Sequence, residues 1–228
     1  MAEHTDQNLL HQVIYSVFVR NHTKEGTFRA LEGDLDRLKG LGADIIWLMP
    51  IHPIGSEGRK GTLGSPYAIQ DYRGINPEYG TREDFIHLVD AIHARGMKCI
   101  IDVVYNHTSP DSVLAHTHPE YFLRDAEGRP TRKVADWWDV VDLDYSNRDL
   151  WTYQIDTLKQ WAAIVDGFRC DVASSVPLDF CVRHAARWRR CALAASGWPK
   201  ASTAPTCWAC AARARPAPRT PSCTAPLT

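Results

Sequence analysis

Short, uninterrupted apolar runs recur along the first 180 residues, and polar segments with regularly spaced leucines or aromatics separate them. Apolar runs of about four to eight residues, rich in β-branched and aromatic side chains, are typical of strands buried on both faces. The pattern therefore predicts four buried strands, at 13–19, 45–51, 99–105 and 165–172.

Between these runs, apolar residues recur three or four positions apart, which is the spacing of one helix face. This spacing predicts helices over 31–42, 81–96 and 150–163. The second helix has the clearest boundary signals. Thr81 is a good N-cap, Asp84 three positions later approximates a capping box, and a glycine ends the segment.

Helices that alternate with strands apolar on both faces are typical of a parallel α/β sheet. Such a sheet either stays open and doubly wound or closes into a barrel. The first strand–helix connection lacks the glycine-rich pattern of dinucleotide-binding domains. Polar residues gather instead where the third and fourth strands end, which is where barrel enzymes carry their chemistry. We therefore expect an α/β fold that forms the first half of a (β/α)8 TIM barrel, with 107–139 as a short loop domain inserted after strand three.

Charge divides the chain unevenly. The whole sequence is almost neutral, with 26 Lys and Arg against 27 Asp and Glu. No acidic residue follows Asp179, whereas eight Lys and Arg and five of the seven cysteines do. We therefore separate an acidic body, 1–180, from a basic tail, 181–228, that is rich in Cys, Pro and Ala.

The two cysteines of the body, Cys99 and Cys170, lie in apolar runs, where a free cysteine is usually a small buried hydrophobe. The start, MAEHTDQNLLHQ, has no basic region followed by an apolar core, so the sequence predicts no signal peptide. No apolar run approaches the roughly 20 residues of a membrane span. We expect a cytoplasmic protein with no membrane partner.

Two short segments at predicted strand ends carry the candidate chemistry. Asp102 lies inside an apolar strand, and a buried carboxylate needs partners, whether its role is structural or functional. Arg169 and Asp171 are two positions apart and therefore on one side of a strand. They form either a simple ion pair or an arginine that keeps a nucleophilic carboxylate ionised and aimed.

These segments, DVVYNH at 102–107 and GFRCD at 167–171, resemble two signature regions of the α-amylase family of glycoside hydrolases. GSPYAIQDYRGINPEYGTREDF at 64–85 resembles that family's segment after strand two, and DVVDLDYSN at 139–147 resembles its motif late in the loop domain. The resemblance implies a retaining glycosidase barrel that acts on α-glucans or malto-oligosaccharides, by hydrolysis or by glycosyl transfer.

The resemblance also implies a role for each matching residue. Asp171 falls on the catalytic nucleophile and Arg169 on the residue that orients it. In the substrate-binding set, His107 falls on a group that hydrogen-bonds the sugar in the cleavage subsite, Tyr67 on the aromatic platform under that sugar, and Asp102 on a carboxylate near the nucleophile.

Calcium is less well supported by the resemblance. Asn106 falls on a calcium ligand of the calcium-dependent amylases, and Asp142 on a further candidate ligand. The Lys-His pair that follows the nucleophile in those amylases is replaced by Ser174 and Ser175. An asparagine at a strand end also commonly pins a loop. The sequence therefore predicts no cofactor, with calcium as the alternative. The residues around the nucleophile resemble those of oligosaccharide-acting and maltogenic relatives.

Two adjacent tryptophans lie near the end of the predicted loop domain. Trp137 and Trp138 form either a sugar-stacking surface or part of the packing of that loop domain.

The basic tail allows three interpretations. A nucleic-acid-binding arm requires clustered basic residues, which are not seen here. Half a zinc site, from Cys207 and Cys210, lacks a second pair. We favour a shifted reading frame as the third interpretation. The segment AASGWPKAS at 194–202 can be written in codons that, when read from one base earlier, encode GCIWLAESV. This alternative peptide resembles the family's strand five, which ends in the acid glutamate. The tail is then expected to be disordered.

The family requires an acid glutamate after strand five and an aspartate after strand seven, and no acidic residue follows Asp179. The sequence therefore predicts that this chain is inactive by itself. Two alternatives remain open. One is a non-catalytic relative or a functionless truncated product, and the other is an α/β domain with a nucleic-acid-binding tail. The expected partner is an α-glucan or malto-oligosaccharide, not nucleic acid.

Overall fold

The computed structural model describes residues 10–181 and the backbone of residues 206–207. Its strands are β1 (Ile14–Val17), β2 (Ile45–Leu48), β3 (Lys98–Val103), β4 (His107–Thr108), β5 (Val141–Asp142), β6 (Gly167–Cys170) and β7 (Thr206–Cys207). Its α-helices are α1 (Val19–His22), α2 (Phe28–Glu32), α3 (Leu35–Gly40), α4 (Arg82–Ala94), α5 (Val113–Thr117) and α6 (Arg148–Ala162). Short 3₁₀ turns lie at Pro119–Tyr121 and Ala173–Ser175.

One parallel sheet organises the described residues, in the order β1-β2-β3-β6-β7. The strands follow the chain without the reversal of order that defines a doubly wound sheet. This is the arrangement of a barrel arc, as predicted. The strands β1, β2, β3 and β6 lie within the four predicted runs, except that β3 begins one residue before its run. Strands β4 and β5 form a separate antiparallel ribbon, in which β4 opens the predicted loop domain and β5 lies just after its end.

The predicted helix over 31–42 is in fact two helices, α2 and α3, with a break at Gly33 and Asp34. The leucine periodicity is real, because the leucines at 31, 35 and 38 are all fully buried. The Asp34 carboxylate, however, lies 2.7 Å from His22 Nε2 and accepts a 2.7 Å hydrogen bond from Arg37 Nε. These side-chain contacts set the corner between the two helices.

Helix α4 begins as predicted. The Thr81 side chain accepts from the backbone of Asp84, and the Asp84 side chain accepts from the backbone of Thr81, which completes a capping box. Aromatic side chains behind α4 form a buried cluster that joins the helices to the long connection after β2: Phe28, Tyr79, Phe85 and Trp161. The connection from 49 to 81, which carries Tyr67, is therefore anchored at its far end.

The described part of the chain holds no helix long and apolar enough to cross a membrane. The prediction of a separate, disordered tail, and the zinc and nucleic-acid interpretations of it, concern 182–205 and 208–228, which lie outside the described residues. Cys181 is buried and donates its backbone N–H to Pro177. Thr206 and Cys207 pair in parallel with Gly167 and Phe168 of β6.

Candidate active site

The register of the sheet brings the candidate charges together. β3 and β6 are parallel neighbours in which Asp102 pairs with Arg169. Arg169 Nη1 donates to Asp102 Oδ1 and Oδ2 at 3.0 and 2.9 Å, and to Asp171 Oδ1 at 2.8 Å. A single guanidinium nitrogen therefore bridges two carboxylates, and Arg169 pairs with both Asp102 and Asp171.

Electrostatics at this bridge are dominated by burial. Asp102 is completely buried, and desolvation raises the pKa of its carboxyl to about 7, although Arg169 opposes the shift. Burial acts to lower the pKa of Arg169, but Asp102 and Asp171 raise it overall, so the guanidinium stays charged. A permanent positive charge therefore faces Asp171, whose side chain is 14% exposed.

Backbone strain lies directly after Asp171. The Asp171 N–H donates to Val103 O at 2.9 Å, which extends the sheet by one bond beyond β6. Val172 then has a φ of 34°, in the left-handed region that a β-branched residue rarely occupies. Strain of this kind concentrates at functional sites. Neither composition nor periodicity marks Val172, so sequence reasoning missed it.

Tyr67 reaches the same cluster from the connection after β2. Its hydroxyl donates to Asp102 Oδ2 at 3.3 Å, and its ring is only partly buried. Burial, together with the nearby Asp102, raises the pKa of Tyr67 to about 12, so the phenol remains protonated at neutral pH. The hydroxyl end of the ring is therefore tied to Asp102, while part of the ring remains exposed.

His107, at the start of β4, is 4% exposed. Its Nδ1 lies 3.1 Å from Asn106 Nδ2, and its ring meets that of Trp137 at a centroid distance of 5.4 Å. Burial lowers the pKa of His107, although Asp171 and other nearby carboxylates oppose the shift. The imidazole is therefore neutral at pH 7 and can both donate and accept a hydrogen bond.

Asn106 and Asp142, the two candidate calcium ligands, bond to each other. Asn106 Nδ2 donates to Asp142 Oδ1 at 3.2 Å, and the Lys133 N–H donates to Asp142 Oδ2 at 3.1 Å. Calcium takes six to eight oxygen ligands. Among the described residues no group of three or more His, Cys, Asp and Glu side chains could hold a metal ion. These hydrogen bonds hold Asn106 and Asp142 to each other and to the backbone at Lys133, and a calcium site at this position stays a prediction.

Trp47 on β2 is a further site residue that sequence reasoning missed. Its ring lies under the Arg169 guanidinium, 5.1 Å from Cζ to the ring centroid. The only signal for it was a tryptophan in an otherwise aliphatic strand. Cation–π contact adds to the two carboxylates in restricting Arg169.

The sequence profile described as alpha amylase, catalytic domain, matches residues 12–139. An alpha-amylase from Lactobacillus plantarum has a similar structure, with a TM-score of 0.78 and 60% identity over 79% of this chain and 43% of that one. The maltogenic alpha-amylase AmyB from Thermotoga neapolitana gives a TM-score of 0.76 and 50% identity over 80% and 44%.

Among curated sequences, an alpha-1,4-glucan:maltose-1-phosphate maltosyltransferase from Myxococcus xanthus is 32% identical over 73% of this chain and 29% of its own length. The chain spans about a quarter to a third of the length of the curated relatives it matches.

Proposed function

Because the chain belongs to the α-amylase catalytic domain family, we propose that it provides the nucleophile side of a retaining active site for α-glucans or malto-oligosaccharides. The relatives it resembles include amylases and a maltosyltransferase. Both reactions use the same first half, attack on the anomeric carbon, and differ in whether water or a sugar hydroxyl accepts the glycosyl group. The proposal therefore covers hydrolysis and transfer.

The observation that carries the proposal is the Arg169 bridge. A nucleophilic carboxylate must be ionised and aimed, and Arg169 Nη1 holds Asp171 Oδ1 at 2.8 Å while Asp102 fixes the guanidinium from the other side. The remaining oxygen of Asp171 is then the attacking atom. It forms an ester to the anomeric carbon as the glycosidic oxygen leaves, and the incoming water or hydroxyl later cleaves that ester.

Two further side chains bind the sugar in this scheme. The partly buried ring of Tyr67 offers an apolar face to the C–H face of a pyranose. Neutral, buried His107 supplies a hydrogen bond to a sugar hydroxyl without adding a charge that competes with Arg169. Together they position the anomeric carbon over Asp171, and positioning of this kind contributes strongly to rate.

We propose that the 228-residue chain does not turn over ordinary α-glucosides. Retaining hydrolysis needs a second, protonated carboxyl about 5–5.5 Å from the nucleophile, and general acid catalysis contributes roughly 10²–10⁴-fold. No Asp or Glu follows Asp179 in the sequence. A cytoplasmic location is part of the proposal, and the free, buried thiol of Cys99 suits a reducing compartment, where free thiols are usual.

A substrate whose leaving group needs no protonation tests the nucleophile role of Asp171 separately from the lack of turnover. Fluoride leaves without protonation, so 5-fluoro-α-glucosyl fluoride should esterify Asp171 even though a nitrophenyl α-maltoside is not hydrolysed. Peptide mass spectrometry of the labelled chain should find the glycosyl group on Asp171. Asp171→Asn should abolish labelling, and the matched control Asp179→Asn, at an exposed carboxylate, should not. Labelling that persists in Asp171→Asn would contradict the nucleophile assignment.

A further inference from the structure

We propose that Trp138 is a stacking subsite for a glucosyl unit of an α-glucan outside the cleavage position, and that Lys60 is the positioning residue that holds its ring. The proposal rests on the α-glucan specificity proposed above and extends it to the length of chain that is recognised.

The two adjacent tryptophans of the loop domain have different surroundings. The Trp137 ring packs edge-on against the His107 ring. The Trp138 side chain is 56% exposed and is the one aromatic among the large exposed hydrophobics of the described residues. Consecutive Cα atoms are about 3.8 Å apart. Trp138 is therefore largely exposed and directly follows a side chain that contacts His107.

Lys60 fixes this exposed ring from one side. Its Nζ lies 4.5 Å from the centroid of the Trp138 ring, donates to Asp136 O at 3.0 Å, and pairs with Asp139 Oδ1 at 2.9 Å. The Asp139 side chain is only 4% exposed, so its charge needs a nearby cation. The ammonium is thus held at three points, and the ring beneath it is held with it.

The backbone supports the same arrangement. Gly58 has a φ of 65°, and a Cβ at this position would lie 3.0 Å from Trp138 O. Gly58, within the segment 55–64, therefore packs closely against the backbone of Trp138. Because 55–64 immediately precedes the segment that carries Tyr67, one connection supports both aromatic rings.

A single exposed aromatic is ordinary on a protein surface. Trp138 differs because its ring is anchored before any ligand arrives, so little conformational entropy is lost on binding. The exposed ring suits the C–H face of a pyranose, a neutral and rigid partner. A ligand long enough to occupy both the Tyr67 and Trp138 positions should therefore bind more tightly than a short one.

The test compares maltoheptaose with maltotriose by isothermal titration calorimetry on the full 228-residue chain. Trp138→Ala should weaken maltoheptaose binding about tenfold, the effect of one stacking contact, and leave maltotriose binding unchanged. Leu63→Ala, at an exposed apolar residue of the same connection, is the matched control and should change neither affinity.

Lys60 is tested in the same assay. Lys60→Met should reduce the preference for maltoheptaose, and Lys60→Arg, which keeps a cation over the ring and beside Asp139, should restore most of it. A purely structural lysine would change both oligosaccharides equally. An unchanged preference in Trp138→Ala overturns the subsite while wild-type maltotriose binding still supports the proposed function. Failure of the wild-type chain to bind either oligosaccharide overturns both.

Discussion

Two buried carboxylates are each paired with a partly exposed cation, but the two ion pairs lie in different parts of the fold. Arg169 and Lys60 are both 33% exposed in their side chains, and their partners Asp102 and Asp139 are 0% and 4% exposed. The first pair stands on neighbouring strands in register, whereas the second joins two loops. The two ion pairs are therefore similar in burial but differ in whether paired strands or loops hold them.

The difference follows from the cation and its platform. Arginine presents several donors in a rigid plane, and Arg169 Nη1 contacts two carboxylates while the guanidinium covers the Trp47 ring. Lysine is a compact charge on a flexible stem, and Lys60 clamps Trp138 without acting on a reactive group. Under the proposed function, the strand-borne pair sets the geometry at Asp171, and the loop-borne pair holds a sugar-binding ring at the surface.

Removing the strand-borne cation should have the largest effect. Arg169→Met leaves Asp102 without its charged partner, and breaking a buried ion pair costs about 3–5 kcal/mol. We expect the free energy of unfolding to fall by that amount at pH 8, measured by urea denaturation, with labelling of Asp171 lost. A fall below about 1 kcal/mol would show that the bridge is not buried as described.

The pH dependence of stability should identify Asp102 itself. Its pKa is raised from 3.8 unfolded to about 7 folded, so the folded state binds more protons between those values. This group therefore stabilises the fold below about pH 4, and that contribution is lost as pH rises towards 7. Asp102→Asn should flatten the decline in stability across this window. An identical slope in wild type and variant would contradict the assignment.

Removing the loop-borne cation should cost less. Lys60→Met leaves Asp139 buried without its ion pair, but loops relax more readily than paired strands, so we expect a loss of about 1–3 kcal/mol in unfolding free energy. Urea denaturation beside Arg169→Met measures the difference directly. Equal losses in the two variants would remove the distinction between the pairs.

The smallest effect is expected at the hydroxyl of Tyr67. Tyr67→Phe removes the 3.3 Å hydrogen bond to Asp102 and keeps the ring, for a loss of about 0.5–1.5 kcal/mol in stability. Maltotriose affinity should be nearly unchanged, whereas Tyr67→Ala should lower it. If both variants weaken maltotriose equally by calorimetry, the hydroxyl and not the ring carries the binding.

The structure agrees best with the sequence where the signal is local. The four buried strands and the capping box of α4 follow from short apolar runs and from residues three positions apart, and the structure confirms them. The prediction was less accurate for 31–42, where the periodicity was correct but Asp34 and its side-chain partners divide the helix. Periodicity reports which face is buried and not where the backbone turns.

The sequence by itself determined the parallel α/β arc, the family and the identity of the charged residues at the strand ends, because these depend on composition and order over short distances. Only the tertiary structure decided that Arg169 Nη1 reaches both carboxylates, that Trp137 packs on His107 while Trp138 stays exposed, and that Lys60 anchors the latter. The Arg169–Asp102 and Lys60–Asp136 contacts join residues 67 and 76 positions apart. Pairing over such separations is set by strand register and loop packing, which no local pattern encodes.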